Sequence, residues 1–310
     1  MARTFRFGIQ TSRAPSGEEW TEKARKIEEL GYATLLMPDH FEDQLSPVPA
    51  LMAAADATTS LRVGTLVFDN DFKHPVVLAK ELATLDLLSS GRLEIGIGAG
   101  WMRTDYDQSG LTYDSPGTRI GRLAEALKVL KGSFAEGPFS YSGRHYTISN
   151  YDGRPKPVQK PHPSILIGGG GRRLLTLAAQ EADIIGVNFN LGEGVVNPAV
   201  AATGSAQATA EKIAWVRKAA GDRFEDLELN ATVFFSNVTD DRAGLAGRVA
   251  QGFGMTPADV LASPHTLMGP IDQLVDDLQQ RREEYGFSYI VFSGDVHEQM
   301  APLVKRLAGT

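Results

Sequence analysis

The sequence predicts a single (β/α)8 TIM barrel, which is a parallel sheet of eight strands closed on itself and surrounded by helices. Short apolar strands alternate with helices along the 310 residues, and eight such strands are recognisable. Alternation of this kind gives a parallel sheet covered by helices, and eight strands close a barrel of this type. Two segments are longer than a regular alternation of strands and helices requires. Each follows a strand, which is where barrel enzymes enlarge their active face.

The predicted strands are apolar runs, and proline or glycine marks the ends of several helices between them. Strands are predicted at residues 5–9, 33–37, 62–68, 93–98, 164–167, 183–187, 227–235 and 288–292. Helices are predicted at residues 16–30, 49–57, 75–90, 118–134, 172–181, 206–220, 242–262, 270–285 and 295–307. The insertions follow the fourth and the seventh strand. An open doubly wound sheet is the alternative, but residues 9–14 lack the glycine-rich turn that it requires after its first strand.

The composition is that of an ordinary globular protein, and we treat residues 1–310 as one domain. A net charge of −7 disfavours binding to nucleic acid or to an anionic membrane. The chain has no cysteine, which excludes disulfides and thiolate metal sites. It shows neither a signal peptide nor an apolar run of ~18 residues, so we expect a cytoplasmic protein that does not enter the membrane. The sequence leaves open whether the chain forms a homodimer.

Four consecutive glycines, Gly168 to Gly171, lie between the fifth strand and its helix. Free N–H groups and the helix dipole make such a junction an anion seat, and glycines let a phosphate approach the backbone. Arg172 and Arg173 add positive charge beside it. The motif is no P-loop, because Lys-Ser/Thr does not follow. The alternative is a flexible turn, but a turn does not require four glycines.

A second glycine-rich segment, Gly96 to Trp101, ends the fourth strand. Its spacing does not fit a dinucleotide-binding turn, and no acidic residue follows at the expected distance. One interpretation is that the glycines let a planar ring lie close to the backbone, with Trp101 opening a loop over the barrel mouth. The other is that a crowded barrel interior requires glycine.

Asp39 and His40 directly follow the second strand, so both side chains are expected at the catalytic face. An aspartate and a histidine at this place can bond a ring hydroxyl or transfer a proton. Alternatively, Asp39 caps a helix and His40 bonds a loop carbonyl.

Two other kinds of active site are not indicated by the sequence. The six histidines lack the spacing of a metal site, and His297-Glu298 is not followed by a second histidine at the position that a zincin motif requires. There is no Gly-x-Ser-x-Gly motif of a serine hydrolase. We therefore predict no metal site and no serine nucleophile.

The chain resembles the bacterial luciferase-like superfamily of flavin- and deazaflavin-dependent oxidoreductases over nearly its whole length. The resemblance depends on an ordered set of segments, of which each alone is unspecific. These segments are residues 37–41, 64–67, 85–92, 98–101 and 167–170. The triplet Asp39-His40-Phe41 is similar to the branch that uses coenzyme F420, an 8-hydroxy-5-deazaflavin.

This resemblance implies a role for several residues. Asp39 and His40 would lie near the hydroxylated edge and the reactive face of the ring, as the catalytic pair. The Leu66–Val67 peptide bond would be cis and would press against the ring. The cofactor contacts that the resemblance implies are Asp39, Leu66, Val67, Gly98, Ala99, Gly100, Gly168, Gly169 and Gly170, the last three at its phosphate.

Trp101 departs from the pattern, because sugar-phosphate dehydrogenases of this branch have a glutamate there. We therefore expect a more apolar small-molecule substrate, in a pocket lined by Phe68, Trp101 and Tyr106.

The leading hypothesis is thus an F420-dependent oxidoreductase that transfers a hydride, with His40 exchanging the proton. The alternatives are an FMN-dependent luciferase-like monooxygenase and a barrel that binds a flavin without catalysis. A metal-free phosphosugar lyase or isomerase would use the same anion seat, but no lysine or glutamate is evidently placed for it.

Overall fold

A computed structural model describes residues 3–310, and a closed barrel of parallel strands forms its centre. The strands of the described chain are β1 (Arg6–Gln10), β2 (Thr34–Met37), β3 (Arg62–Thr65), β4 (Phe68–Asp69), β5 (Leu93–Gly98), β6 (Phe139–Ser142), β7 (Thr147–Tyr151), β8 (Ile165–Gly169), β9 (Ile184–Val187), β10 (Glu228–Val233), β11 (Phe235–Val238), β12 (Thr266–Gly269) and β13 (Phe287–Ser293). The barrel runs in the order β1, β2, β3, β5, β8, β9, β10 and β13, and β13 pairs with β1 to close it. The predicted eight-stranded parallel barrel is confirmed.

The helices surround this barrel, and most begin within two residues of their predicted start. They are α1 (Gly17–Glu29), α2 (Pro47–Asp56), α3 (Pro75–Leu88), α4 (Arg103–Ser109), α5 (Pro116–Phe134), α6 (Arg172–Glu181), α7 (Pro198–Ala202), α8 (Ala206–Ala220), α9 (Arg242–Phe253), α10 (Pro257–Ala262), α11 (Ile271–Tyr285) and α12 (His297–Leu307). Proline stands in the first turn of five of them, where its missing N–H costs no hydrogen bond. Between residues 3 and 310, no helix has both the length and the apolar character needed to cross a membrane.

The third strand differs from its prediction at residues 62–68. It stops at Thr65, the Leu66–Val67 peptide bond is cis, and the chain resumes as β4, which pairs with β5. The Gln10 side-chain amide donates a hydrogen bond of 2.6 Å to the Leu66 carbonyl. The resemblance implied this cis bond, although a pattern of apolar residues alone predicted a continuous strand.

The insertions contain structure that the sequence pattern did not reveal. The one after β5 contains α4 and a hairpin of β6 and β7, in addition to the predicted helix α5. The predicted seventh strand, residues 227–235, breaks at Phe234, and β11 continues outside the barrel paired with β12. The predicted helix 242–262 is two helices, because Gly254 adopts a left-handed φ of +65° between them.

Partly buried ion pairs lie at the amino-terminal end of the barrel. Arg6 contacts Glu94 at 2.6 Å and Glu228 at 2.7 Å, and Arg62 contacts Glu94 at 2.8 Å. The Tyr289 hydroxyl donates to Glu94 at 3.2 Å. Because every charge in this cluster has a partner, the cluster belongs to the fold rather than to a ligand site. The opposite end of the barrel is different.

Candidate active site

A cavity of about 280 Å³ opens at the carboxyl ends of the barrel strands. It is lined by residues from the ends of β1, β2, β3, β5, β8, β9 and β10, together with the start of α5. The lining residues are Gln10, Pro38, Asp39, His40, Leu66, Val67, Phe68, Asp69, Gly98, Ala99, Gly100, Trp101, Pro116, Arg119, Ile120, Gly168, Gly169, Gly170, Gly171, Leu174, Asn188, Phe189, Asn190, Leu191, Gly192, Thr232 and Phe234. The structure thus brings together all the residues that the sequence placed in the site, except Tyr106.

Tyr106 lies behind the cavity wall instead of lining the pocket as predicted. Its side chain is fully buried, and its hydroxyl lies 3.0 Å from an oxygen of Asp69 and 3.1 Å from one of Asp71. The reason is that Tyr106 belongs to α4, a helix that the sequence pattern did not reveal, and it faces the interior of the molecule. Tyr106 supports the site and does not contact its contents.

His40 is held by an acidic partner that the sequence analysis missed. Its Nδ1 lies 2.7 Å from Asp105 Oδ2, and the other Asp105 oxygen accepts the Phe41 N–H at 3.1 Å. The Asp105 side chain is only 3% exposed, so this contact is shielded from water. Within residues 3–310, His40 Nε2 has no hydrogen-bond partner. With Nδ1–H donating to Asp105, Nε2 is the nitrogen left to serve a ligand.

Two carboxyl groups of the cavity wall have unusual proton affinities. Burial raises the pKa of Asp39 to about 6, although the Asp69 N–H donates to its carboxylate at 3.2 Å. Burial and the nearby Asp71 charge raise the pKa of Asp69 to about 7. Both groups therefore change protonation near neutral pH, which is a property of groups that bind or exchange protons in active sites.

The four glycines after β8 serve two different purposes. A side chain at residue 170 would lie 2.4 Å from the Asn188 carbonyl oxygen and 2.3 Å from that of Phe189, so the backbone packing requires this glycine. A Cβ atom at residue 169 would meet first the Leu174 side chain, which has to move to make room for it. Gly171 is the N-cap of α6, and no side chain caps that helix. Its first N–H groups are thus available to an anion, and the donor set fits a phosphate.

The second glycine-rich segment supports both interpretations made from the sequence. A side chain at residue 98 would lie 2.7 Å from the Val67 side chain, and one at residue 96 would overlap the Thr65 carbonyl. Crowding against the neighbouring strand therefore requires both glycines. Gly98, Ala99 and Gly100 also border the cavity beside Val67, so a planar ring could lie against their backbone.

Arg119 is a further cavity residue that the sequence analysis missed. It is 2% exposed, its Nε donates to the Ala99 carbonyl at 3.2 Å, and its guanidinium lies 4.2 Å from the centre of the Tyr113 ring. In the described chain it forms no ion pair with a carboxylate. A cation without an acidic partner thus lies in the cavity wall, where it favours an anionic ligand.

Of the residues missed, Gln10, Asp69 and Asn188 carried a signal, because each directly follows a predicted barrel strand. Asp105 and Arg119 come from helices of the insertion, where no rule about strand ends applies. Arg172 and Arg173, predicted to add charge to the seat, are exposed at its edge.

Comparison with known proteins identifies the family. Residues 2–243 match the family model described as luciferase-like monooxygenase. The chain belongs to this family.

The relatives use two kinds of cofactor. The chain is 30% identical over 154 residues to an FMNH2-dependent dimethylsulfone monooxygenase of Pseudomonas putida, which covers 50% of this chain and 42% of the relative. It is 29% identical over 157 residues to an F420-dependent glucose-6-phosphate dehydrogenase of Amycolatopsis mediterranei, covering 48% and 47%. In both cases the matched region is less than half of the relative.

Solved structures share the whole fold. The coenzyme F420-dependent tetrahydromethanopterin reductase of Methanopyrus kandleri superposes with a TM-score of 0.77 at 18% identity, covering 99% of both chains. At this identity the likeness concerns the fold alone. Together the comparisons show a luciferase-like oxidoreductase family whose members use a flavin or a deazaflavin.

Proposed function

We propose that this luciferase-like protein is a coenzyme F420-dependent oxidoreductase, which transfers a hydride to or from a small, largely apolar organic substrate. The observation that carries the proposal is the His40–Asp105 pair at the cavity wall, with Nε2 of His40 free. Asp39 stands beside it with a pKa of about 6. This arrangement can exchange a proton with a substrate near neutral pH.

Cofactor binding is assigned to the two glycine-rich segments and the cis bond. Gly168, Gly169 and Gly170, with the first N–H groups of α6, would hold the phosphate. Leu66, Val67 and the backbone of residues 98–100 would border the ring. The Arg119 charge favours the anionic side chain of the cofactor.

The bound deazaflavin would supply a hydride acceptor or donor, and this chain supplies the proton transfer. In alcohol oxidation, neutral His40 Nε2 accepts the hydroxyl proton while the substrate carbon loses its hydride. In reduction, protonated Nε2 donates a proton to the developing oxyanion. Asp105 favours both states by fixing Nδ1–H and by stabilising the imidazolium. Asp39 would bond the polar edge of the ring.

The cavity lining contains several aromatic side chains. Trp101 meets the His40 ring edge-on with centroids 5.7 Å apart, and the rings of Phe189 and Phe234 pack together with centroids 5.4 Å apart. Phe68 lines the inner wall. These side chains favour apolar surface, and no glutamate stands at residue 101, which supports a substrate other than a sugar phosphate.

The second candidate is an FMN-dependent monooxygenase, favoured by the 30% identity to the dimethylsulfone enzyme. Equilibrium titration of the purified protein with coenzyme F420 and with FMN tests the choice. We expect tighter binding of F420, and FMN binding at least as tightly would contradict the proposal. A reduced cofactor that reacts only when oxygen is present would identify the monooxygenase. Binding without turnover of any acceptor would identify a non-catalytic barrel.

A further inference from the structure

Lys212 of α8 is a buried lysine that the proposed reaction does not use. The residue is 2% exposed. Its ammonium donates to the Asn188 carbonyl at 2.7 Å and also to the Thr203 carbonyl. These two residues lie at the two ends of the loop that connects β9 to α8, and the loop lines the cavity with residues 188–192. Lys212 thus ties both ends of this loop together.

No carboxylate in residues 3–310 forms an ion pair with Lys212. Burial lowers its pKa to about 8, so the side chain is still largely protonated at pH 7. The nearby His265 cannot be a counter-charge, because an imidazole is either neutral or cationic, and burial lowers its pKa to about 4 and keeps it neutral. A buried charge without a partner is costly, and neutral carbonyl partners offset only part of that cost. The fold alone does not account for a cation here.

The uncompensated charge lies directly behind the glycine seat. Lys212 Nζ is 2.7 Å from the Asn188 carbonyl oxygen, and the same oxygen would contact a Cβ atom built at residue 170. The ammonium therefore lies at most about 5 Å from the position that this Cβ atom would occupy. One layer of backbone would separate an anion bound at the glycine seat from the Lys212 ammonium. Because backbone atoms rather than water occupy that layer, the attraction between the two charges would not be screened there.

We propose that the Lys212 ammonium supplies the charge that makes the glycine seat select a phosphorylated cofactor. It acts through the Asn188 backbone and need not touch the phosphate, so it is a positioning and specificity residue rather than a catalytic one. The inference deepens the proposed function, since it rests on the glycine seat as the place of the cofactor phosphate. Its own claim concerns the charge of Lys212.

The test compares the binding of phosphorylated and unphosphorylated cofactors in variants of the full chain. The probes are coenzyme F420 against 8-hydroxy-5-deazariboflavin, and FMN against riboflavin, in equilibrium titrations at pH 7. Lys212→Gln keeps an N–H donor but removes the charge, Lys212→Met removes both, and Lys212→Arg keeps the charge. Lys218→Met alters an exposed lysine of the same helix and is the matched control.

We expect the preference for the phosphorylated form to fall about tenfold or more in Lys212→Gln and Lys212→Met, because both variants lose the positive charge behind the seat; a tenfold change corresponds to about 1.4 kcal/mol. Lys212→Arg and Lys218→Met should keep it. A folded Lys212→Gln protein with the wild-type preference would overturn the inference and leave the proposed function intact. If the effect occurs with FMN and riboflavin only, the choice of F420 is wrong and the role of Lys212 stands. If the wild-type protein prefers neither phosphorylated form, the phosphate seat and the role of Lys212 both fail.

Discussion

The contact between His40 and Asp105 gives the sharpest prediction about catalysis. Asp105→Ala removes the 2.7 Å partner of His40 Nδ1, so the ring can turn and adopt the other tautomer. A hydrogen bond to a charged group contributes roughly 1.5–3 kcal/mol. If the whole contribution acts on proton transfer, turnover should fall roughly 10- to 150-fold. His40→Ala should cost more, ~10²–10⁴-fold, because it removes the exchanging group itself.

The assay is single-turnover oxidation of the reduced deazaflavin by a panel of small ketones and enones, followed anaerobically by absorbance at saturating cofactor. The cofactor dissociation constant is measured on the same variants, and it should change much less than the rate. Asp107→Ala, an exposed aspartate of the same helix, is the control and should behave as wild type.

The double variant decides whether Asp105 acts through His40. Residues that work as one unit are strongly non-additive, so His40→Ala with Asp105→Ala should be no slower than His40→Ala alone. Additive losses would show that Asp105 acts independently, and the proposed pair would then be wrong. If a folded His40→Ala protein keeps near-normal hydride transfer, His40 is no catalyst. If its cofactor affinity and rate fall together, His40 only positions the ring.

Two further predictions concern the cofactor seat and the buried carboxyl group. Gly169→Val should weaken binding of the phosphorylated cofactor about tenfold or more with little loss of melting temperature, since the nearest neighbour of the new side chain is the flexible Leu174 side chain. Equal affinity in the folded variant would reject the seat. Burial raises the pKa of Asp39 to about 6. Its contribution to stability is therefore full below about pH 4 and is lost as the pH rises through 6, by at most about 3 kcal/mol. Between pH 5 and pH 8, the melting temperature should fall less in Asp39→Asn than in wild type or in the exposed control Asp43→Asn. Equal falls in all three proteins would refute the raised pKa of Asp39.

The barrel could be predicted because its signals are local. Each strand is a short apolar run, and glycine or proline marks helix ends within a few residues of the observed ones. The breaks at Leu66 and Phe234 were harder, since apolar residues continue across both. At Phe234 the chain leaves the barrel because its N–H, 3.0 Å from the His265 carbonyl, pairs with a distant loop. A local sequence pattern does not show such competition between hydrogen-bond partners that are far apart in the chain.

The site was predictable only where it coincides with strand ends. Asp39, His40 and the glycines follow barrel strands, and the rule that active residues lie there found them. Asp105 is 65 residues from His40 and belongs to an unpredicted helix. From the sequence alone, Lys212 cannot be distinguished from the other lysines of an amphipathic helix. Its burial depends on how the loop of residues 188–204 folds over it, which no pattern near residue 212 encodes.

Trp101 lies against His40 in the cavity wall, and this juxtaposition bears on the substrate that we propose. Trp101 stands edge-on to His40 and offers apolar indole surface beside the residue that we propose for proton exchange. The resemblance implies a glutamate at this position in sugar-phosphate dehydrogenases, where a second proton donor would be available. Here Asp39 and Asp69 are the lining carboxyl groups of the described chain. Asp69 is tied to Tyr106 and to the Asp71 N–H. We propose that Asp39 bonds the polar edge of the ring, so in the proposed reaction His40 is left to exchange the proton. This suits a substrate with one oxygen to protonate and an otherwise apolar body.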